Sequence, residues 1–458
     1  MLVKSGEIGI SARLAQTAAV FIITSVISLL LLSKASPVLW EDHFQIGQNL
    51  RSTGTLTIDD VPSILRPPGF PGFVAAALWV GDVISVPRDA RSGRSVERDL
   101  RIVVSAHGLL LGAMAASLFF WASLTNGFAV AAGIAFTASL NPCSLALANV
   151  ASYHLLFVVL TIVSTLGLLS LRRFPSSWPT ARAAGILWGL TSLVKPVALL
   201  IPFFVAPLML CWLPRSVAIR SFGLILVGMV LAVGPYVGRN YMVTGQPIIT
   251  AQSGFAFWGT SIEKVGPDQP FLIWQPIWWK YGMPTFSKVT GSAEYSGPLL
   301  NAHALELNAA FSKEARQNIV AAPEIYLHNV MHNFVSFNLD TMEFWNRYFI
   351  VHNKRLAQAL SKFWIVSLMM LAAAGMIWGC ARRDDDAMTV TAIYLGMVIA
   401  HSISFATELY TVSKLPLIIL GFALLLRRLE YMPRCAMPAR ATACGMAGLG
   451  LLISLVAA

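Results

Sequence analysis

Runs of roughly 20 apolar residues recur from end to end of this chain, and the connectors between them carry paired arginines. Few folds are open to such a pattern. Each run must satisfy its own backbone hydrogen bonds inside lipid, which leaves helices or the strands of a closed barrel, and runs this long read as helices. Of the 458 residues, 56% are hydrophobic and only 12% are charged, too little charge for a soluble domain of this size. The expected class is therefore an all-α polytopic membrane protein.

The runs fall at 14–33, 102–124, 127–147, 153–171, 182–195, 197–213, 218–238, 363–380, 388–407, 415–426 and 441–457, which makes about eleven transmembrane helices. The first, with Lys4 and Arg13 ahead of it and Ala35 after it, has the outline of a signal peptide. It is long enough to span, however, and the later runs need its parity. A segment at 67–85 is apolar but headed by three prolines. Counted as a span, it would reverse everything downstream. Left out, Arg172-Arg173, Arg215 with Arg220, Arg382-Arg383 and Arg427-Arg428 all share a side with Lys4 and Arg13, as the positive-inside rule requires. We therefore expect 67–85 to be a juxtamembrane or re-entrant helix in the first outer loop.

The net charge of +11 then belongs to this topology and to anionic lipid, not to nucleic acid. One connector, with Arg88, Arg91, Arg94, Arg98 and Arg101, falls outside against the rule. Asp89, Glu97 and Asp99 partly neutralise it, or else it meets headgroups or an anionic acceptor. Cys143, Cys211, Cys380, Cys435 and Cys444 show no CxxC or finger spacing, which argues against a disulfide framework or a structural zinc site. Three regions follow: 1–238, an N-terminal transmembrane module with its outer loop at 35–101; 239–361, an outer helical and loop-rich region; and 362–458, the C-terminal transmembrane helices.

The same topology gathers distant polar groups at one outer face: Glu41 and Asp42, Asn149 to His154, Lys195, Arg239 with Asn240, and Glu408 to Lys414. Lys195 interrupts an apolar hairpin, and a lysine left at mid-membrane costs roughly 2.5–3.5 kcal/mol, so it needs an anion or a route to the interface. It is a phosphate ligand or a snorkelling lysine. Arg239 closes a span in PYVGRN and is a bidentate phosphate ligand or an interfacial anchor. Asp42 or Glu41 suits a general base taking a proton from an acceptor hydroxyl; either could also be a solvated loop acid, as Asp59 and Asp60 are expected to be. Arg66, stiffened by Pro67 and Pro68, stands beside them and is a third candidate phosphate ligand with Lys195 and Arg239. Tyr153, His154, Asn240, Glu408, Tyr410 and Lys414 are candidates to line the same cavity. His328 and His332 are four apart on one helical face, but no third ligand accompanies them, and no metal is expected. Trp274, Trp278 and Trp279 with Tyr281 fit an aromatic belt or a platform for a sugar face.

In their order these features resemble the GT-C superfamily of integral-membrane glycosyltransferases. The narrower likeness is to the polyprenyl-phosphate-mannose protein mannosyltransferase-like branch, which includes bacterial enzymes that modify lipopolysaccharide. It rests on Asp42 ahead of FQIGQNLRSTG, RPPGFPGF at 66–73, GLTSLVKP at 189–196, PYVGRN at 235–240, QSGFAFWG at 252–259, EARQNIVAAPEIYLHNV at 314–330 and TELYTVSKLP at 407–416. The resemblance covers nearly the whole chain. It implies a sugar donor on a polyprenyl phosphate and a glycan, glycolipid or protein acceptor. It also implies an inverting transfer at the outer face of a bacterial inner membrane, with no cofactor and no nucleic acid. Asp42 would be the base, with Lys195 and Arg239 on the donor phosphate. The sequence departs from the family pattern in placing Asp42 only two residues before Phe44, so Glu41 stays open as the base. The second outer loop has no carboxylate, and Leu409-Tyr410 stands where an Arg-Tyr pair is usual. Readings from other classes are a lipid-linked-sugar flippase and a catalytically degenerate scaffold; no internal repeat of the kind a transporter shows is visible.

Overall fold

The computed structural model describes residues 9–39, 42–84, 96–174, 177–262, 281–342, 354–404, 411–432 and 434–457. Seven helices are long and apolar enough to cross a membrane: Ile10–Leu32, Val96–Ser123, Tyr153–Arg172, Arg215–Thr244, Arg355–Ala381, Asp385–Ile403 and Ala436–Ala457. An eighth span is formed if the bent pair Phe128–Ser139 and Pro142–Asn149 counts as one. The remaining apolar runs also fold as helices but are short: Trp178–Val194, Leu415–Glu430, and Ile201–Trp212 behind a single 3-10 turn at Pro196–Leu200. The expected count of eleven thus divides into seven or eight full-length spans and three shorter helices by length and composition among the described residues. Gly69–Ile84, the segment kept out of the count, is a helix of 16 residues.

The 45° bend has a local cause. Pro142 cannot donate to the preceding turn, so the first helix stops at Ser139. Asn141 serves both sides of the break. Its amide nitrogen donates to Thr137 O and Ala138 O, and its oxygen accepts from Ser144 N. The freed backbone groups are therefore satisfied without water, which a break inside lipid requires.

One hydrophobic core runs through the bundle from Val20 to Ala457 and centres on the second, third and C-terminal spans. Trp178–Val194 and Arg215–Thr244 pack so closely that a Cβ on Gly185 would lie 2.1 Å from Ile225 O, so the short helix is wedged in place by its neighbour. Outside the bundle, a second core joins Trp258, Phe286, Leu307 and Phe311 from the helices Ser253–Ser261, Met283–Thr290 and Ala304–Ala321. Ile64 and Leu65 of the loop after the first span pack with Ala251 and Ala304, tying that loop to the segment that follows Arg215–Thr244. The long helix passes the expected boundary at 238 and continues to Thr244, ending at Gly245 in the left-handed conformation (φ 71°).

Two features hold the loop after the first span. A two-stranded parallel pair, Val38–Leu39 with Val150–Ala151, brings the residues after the first span beside those that open the third. A tight hairpin, Thr57–Ile58 with Val61–Pro62, turns through Asp59 and Asp60, both at positive φ. Of the Arg-rich connector, Arg88, Arg91 and Arg94 lie outside the described residues. Arg98 pairs with Asp82 at 3.4 Å and Arg101 with Glu97 at 2.9 Å, so these two are neutralised within the protein.

Candidate active site

Asp42 precedes the helix His43–Thr53, and its backbone carbonyl takes the Ile46 N–H. Its carboxylate is about one-third exposed and faces the Arg66 guanidinium at 3.5 Å. Arg66 is held from the other side, because its carbonyl accepts from the Tyr236 hydroxyl at 3.1 Å. The sequence already set Arg66 beside Asp42, and the structure pairs the two charges.

The parallel strand pair sets the next contact. With Val38 opposite Val150, Asn149 reaches Ser36 O at 2.9 Å and Tyr153 arrives beside His43, their rings 5.0 Å apart. Tyr153 stacks in turn on His154 at 4.1 Å. Both histidines are buried. His154 lies within electrostatic range of His401, a buried residue in the last turn of Asp385–Ile403.

Lys195 completes the arrangement. Trp178–Val194 ends immediately before it, and Lys195 leaves the helix in an extended conformation that carries its side chain back into the protein. The buried ammonium lies 3.3 Å from His401 Nε2, donates to Ser413 Oγ at 2.7 Å and sits over the Phe157 ring. Among its described contacts are two hydrogen-bonding groups and a ring face, each of which favours the ammonium's position inside the protein. The proline-headed helix closes the circuit. A Cβ on Gly69 would lie 2.6 Å from Val194 Cγ2 and 2.7 Å from Leu193 O, so the backbone after Arg66 touches the residues just before Lys195 only because position 69 is glycine. Asp42, Arg66, His43, Tyr153, His154, His401, Ser413 and Lys195 thus form one chain of neighbours at one end of the bundle.

Three candidates are placed differently from the sequence reading. Arg239 donates to Ser63 O at 2.9 Å, Leu56 O at 3.2 Å and Asn240 Oδ1 at 2.8 Å, so three of its five N–H donors grip the loop after the first span and its own neighbour. Asn240, buried, donates to Ile248 O and holds the turn that follows, not the cavity. Lys414 is also buried. Its ammonium donates to the carbonyls of Phe337, Asn338 and Asp340, capping the end of Pro323–Leu339, and does not join Lys195. The physical reason is common to the last turn of a helix, whose unpaired carbonyls attract a cation. Glu41, Glu408, Tyr410 and Trp274, Trp278 and Trp279 lie outside the described residues.

His401 and Ser413 were missed at the sequence level. An ionisable residue inside an apolar run is itself a signal, and His401 in the run at 388–407 carried it. Ser413 stood inside TELYTVSKLP, overshadowed by the adjacent lysine.

No family model matches the sequence, and no curated protein does. Among solved structures, the fold is similar to the oligosaccharyltransferase AglB of Archaeoglobus fulgidus in complex with an inhibitory peptide and a dolichol-phosphate. That match has a TM-score of 0.51 at 13% identity and covers 96% of this chain and 54% of AglB. The Archaeoglobus oligosaccharyltransferase in complex with Zn and sulfate matches with a TM-score of 0.50 at 13% identity, over 95% of this chain and 52% of that one. A looser likeness, TM-score 0.39 at 13% identity over 92% of this chain and 79% of that one, is to ArnT of Cupriavidus metallidurans bound to undecaprenyl phosphate. The chain spans about half the length of the archaeal enzyme and shares its fold over that part.

Proposed function

We propose that this protein is a glycosyltransferase that moves a sugar from a polyprenyl-phosphate donor to an acceptor hydroxyl, at the end of the bundle where Asp42 and Lys195 converge. The observation that carries the reading is the packing of two segments: the loop with a one-third-exposed carboxylate and a guanidinium against it meets, through Gly69, the residues just before a buried ammonium. AglB, with the same fold, is bound to a dolichol-phosphate, a lipid phosphate of the class proposed here.

The steps follow from the charges. The acceptor oxygen attacks the anomeric carbon from the face opposite the phosphate, the bond from that carbon to the phosphate oxygen breaks, and the configuration inverts. Asp42 takes the hydroxyl proton. The polyprenyl phosphate departs with the bonding electron pair, and Lys195, held by Ser413, with Arg66 covers the developing negative charge. His401 and His154 position Lys195, and Arg239 holds the loop that carries Asp42 and Arg66. The outer region 245–339 offers the acceptor side. The setting proposed is a bacterial inner membrane with the site on its outer face.

The test is transfer of labelled sugar from synthetic polyprenyl-phosphate sugars to membrane acceptors, by the wild type and by Asp42→Asn. Loss of a base costs about 10²–10⁴-fold in rate. The expected outcome is transfer by the wild type that falls by that factor in the variant while donor binding persists. Equal transfer by both moves the base to Glu41, and no transfer by folded wild type with any donor leaves the flippase or scaffold.

A further inference from the structure

Three helices that bring a group to the candidate site bring a second charged group to the opposite end of the bundle. Tyr153–Arg173 runs from His154 to Arg172, Asp385–Ile403 from His401 back to Asp386, and Leu415–Glu430 starts after Ser413 and ends past Arg427. At 1.5 Å per residue these ends are roughly 20–27 Å apart. At the far end the groups meet around an open cavity of about 540 Å³, into which Arg172, Arg382, Arg427 and Arg428 project with Asp384.

Most of that charge is committed. Arg427 bridges Asp384 and Asp386, Arg428 reaches Asp384 through one terminal nitrogen, and Arg172 pairs with Asp385 and Asp386. Three arginines against three aspartates would make a closed network. One group stands outside it. Arg382, exposed at the cavity wall, has no ion-pair or side-chain hydrogen-bond partner among the described residues. Four arginines against three aspartates leave one guanidinium in excess at this cavity, which points to an anion with more than one acceptor oxygen. Trp378 and Tyr431, ringed side chains suited to the membrane interface, line the same cavity.

We propose that this cavity binds a phosphate group, taken by Arg382 at the wall of the arginine cluster, with the headgroup of an anionic lipid as its source. A phosphate offers three acceptor oxygens to planar guanidinium forks, and the aromatic rings suit the glycerol and upper acyl carbons beside it. The site is separate from the proposed transfer centre by the length of the spans.

The probes are short-chain phosphatidylglycerol, short-chain phosphatidylcholine and inorganic phosphate, titrated by calorimetry into the full chain in neutral detergent. Phosphatidylglycerol is expected to bind more tightly than phosphatidylcholine. Arg382→Gln should weaken it about tenfold, the loss of one charge-assisted contact. Arg382→Lys should restore part of it, and Asp42→Asn, at the other end, should leave it unchanged. Arg382 lies outside the ion-pair network, so its variants should keep the wild-type unfolding temperature. Displacement of the lipid by inorganic phosphate would assign the site to a free phosphate group, and lack of displacement to the lipid headgroup; both sustain an anion site. Equal affinity of wild type and Arg382→Gln, equal affinity for the two lipids, or no binding of any probe would overturn it.

Discussion

Two backbone carbonyls and an amide oxygen take three of the five N–H donors of the Arg239 guanidinium. Arg239 fixes the Leu56 and Ser63 carbonyls of the loop that carries Asp42 and Arg66. Hydrogen bonds from charged groups contribute about 1.5–3 kcal/mol each, so Arg239→Gln should loosen that loop by several times RT. The expected result is faster proteolysis between 54 and 66 and a lower turnover with donor affinity nearly kept. Lys195→Met should do the reverse, losing donor affinity while the loop stays protected. If Arg239→Gln instead abolishes donor binding with the loop intact, the guanidinium is a phosphate ligand after all. The same comparison shows what could be read from residues alone. Asp42, Arg66, Lys195, Tyr153 and His154 were visible because charge and aromatic groups beside apolar runs are rare. The partners of Arg239 and Lys414 were not, because they are backbone carbonyls, and every residue has one.

At the scale of elements, the site depends on where helices stop. Asn141 and Pro142 end one helix and start the next, Lys195 leaves its helix extended, and Gly69 lets the proline-headed helix meet residues 193 and 194. Periodicity and hydropathy exposed each apolar run, including the one at 67–85, but not the bend at 140–141 or the lengths that set short helices apart from full spans. Those depend on capping bonds and on how far a helix continues past its apolar part, as Arg215–Thr244 does. The Gly69 contact gives the sharpest test. A methyl group there meets a backbone oxygen at 2.7 Å, which cannot rotate away, so Gly69→Ala must push the Arg66 segment off the Lys195 segment. Overpacking of this kind costs about 1–3 kcal/mol. Sugar transfer should fall at least tenfold, with a smaller fall for Gly72→Ala, whose added Cβ meets nothing within 4 Å. Matching activities for the two variants would show that Arg66 and Lys195 do not act on one group.

For the whole molecule, charged groups are buried at both ends of the bundle. At the candidate site the Lys195 ammonium is buried against His401 and Ser413. At the far end, carboxylates and guanidinia pair closely and lock three spans that meet nowhere else by such bonds among the described residues. Asp384 is the hinge of that lock. One of its oxygens caps Asp385–Ile403 through Asp386 N and Ala387 N, and the other takes Arg427 and Arg428. Burial opposes its ionisation, but Arg427, the Ala387 N–H and Arg428 together outweigh burial and hold the carboxyl below its ordinary value. The sign follows from linkage. A carboxyl lowered in the folded state contributes stability above its unfolded pKa, about 3.9, and that contribution is lost as pH falls through the lower folded value. Unfolding temperature in detergent should therefore be insensitive to this group from pH 5 to 8 and drop below about pH 4. Asp384→Asn keeps much of the cap but leaves Arg427 and Arg428 short of a charge, which should cost about 2–4 kcal/mol at neutral pH, the range for a broken, largely buried pair with some solvent access. The variant should also flatten the acid limb, because the titrating group is gone. An acid limb as steep in Asp384→Asn as in the wild type would place the pH-sensitive lock in other carboxylates of the chain.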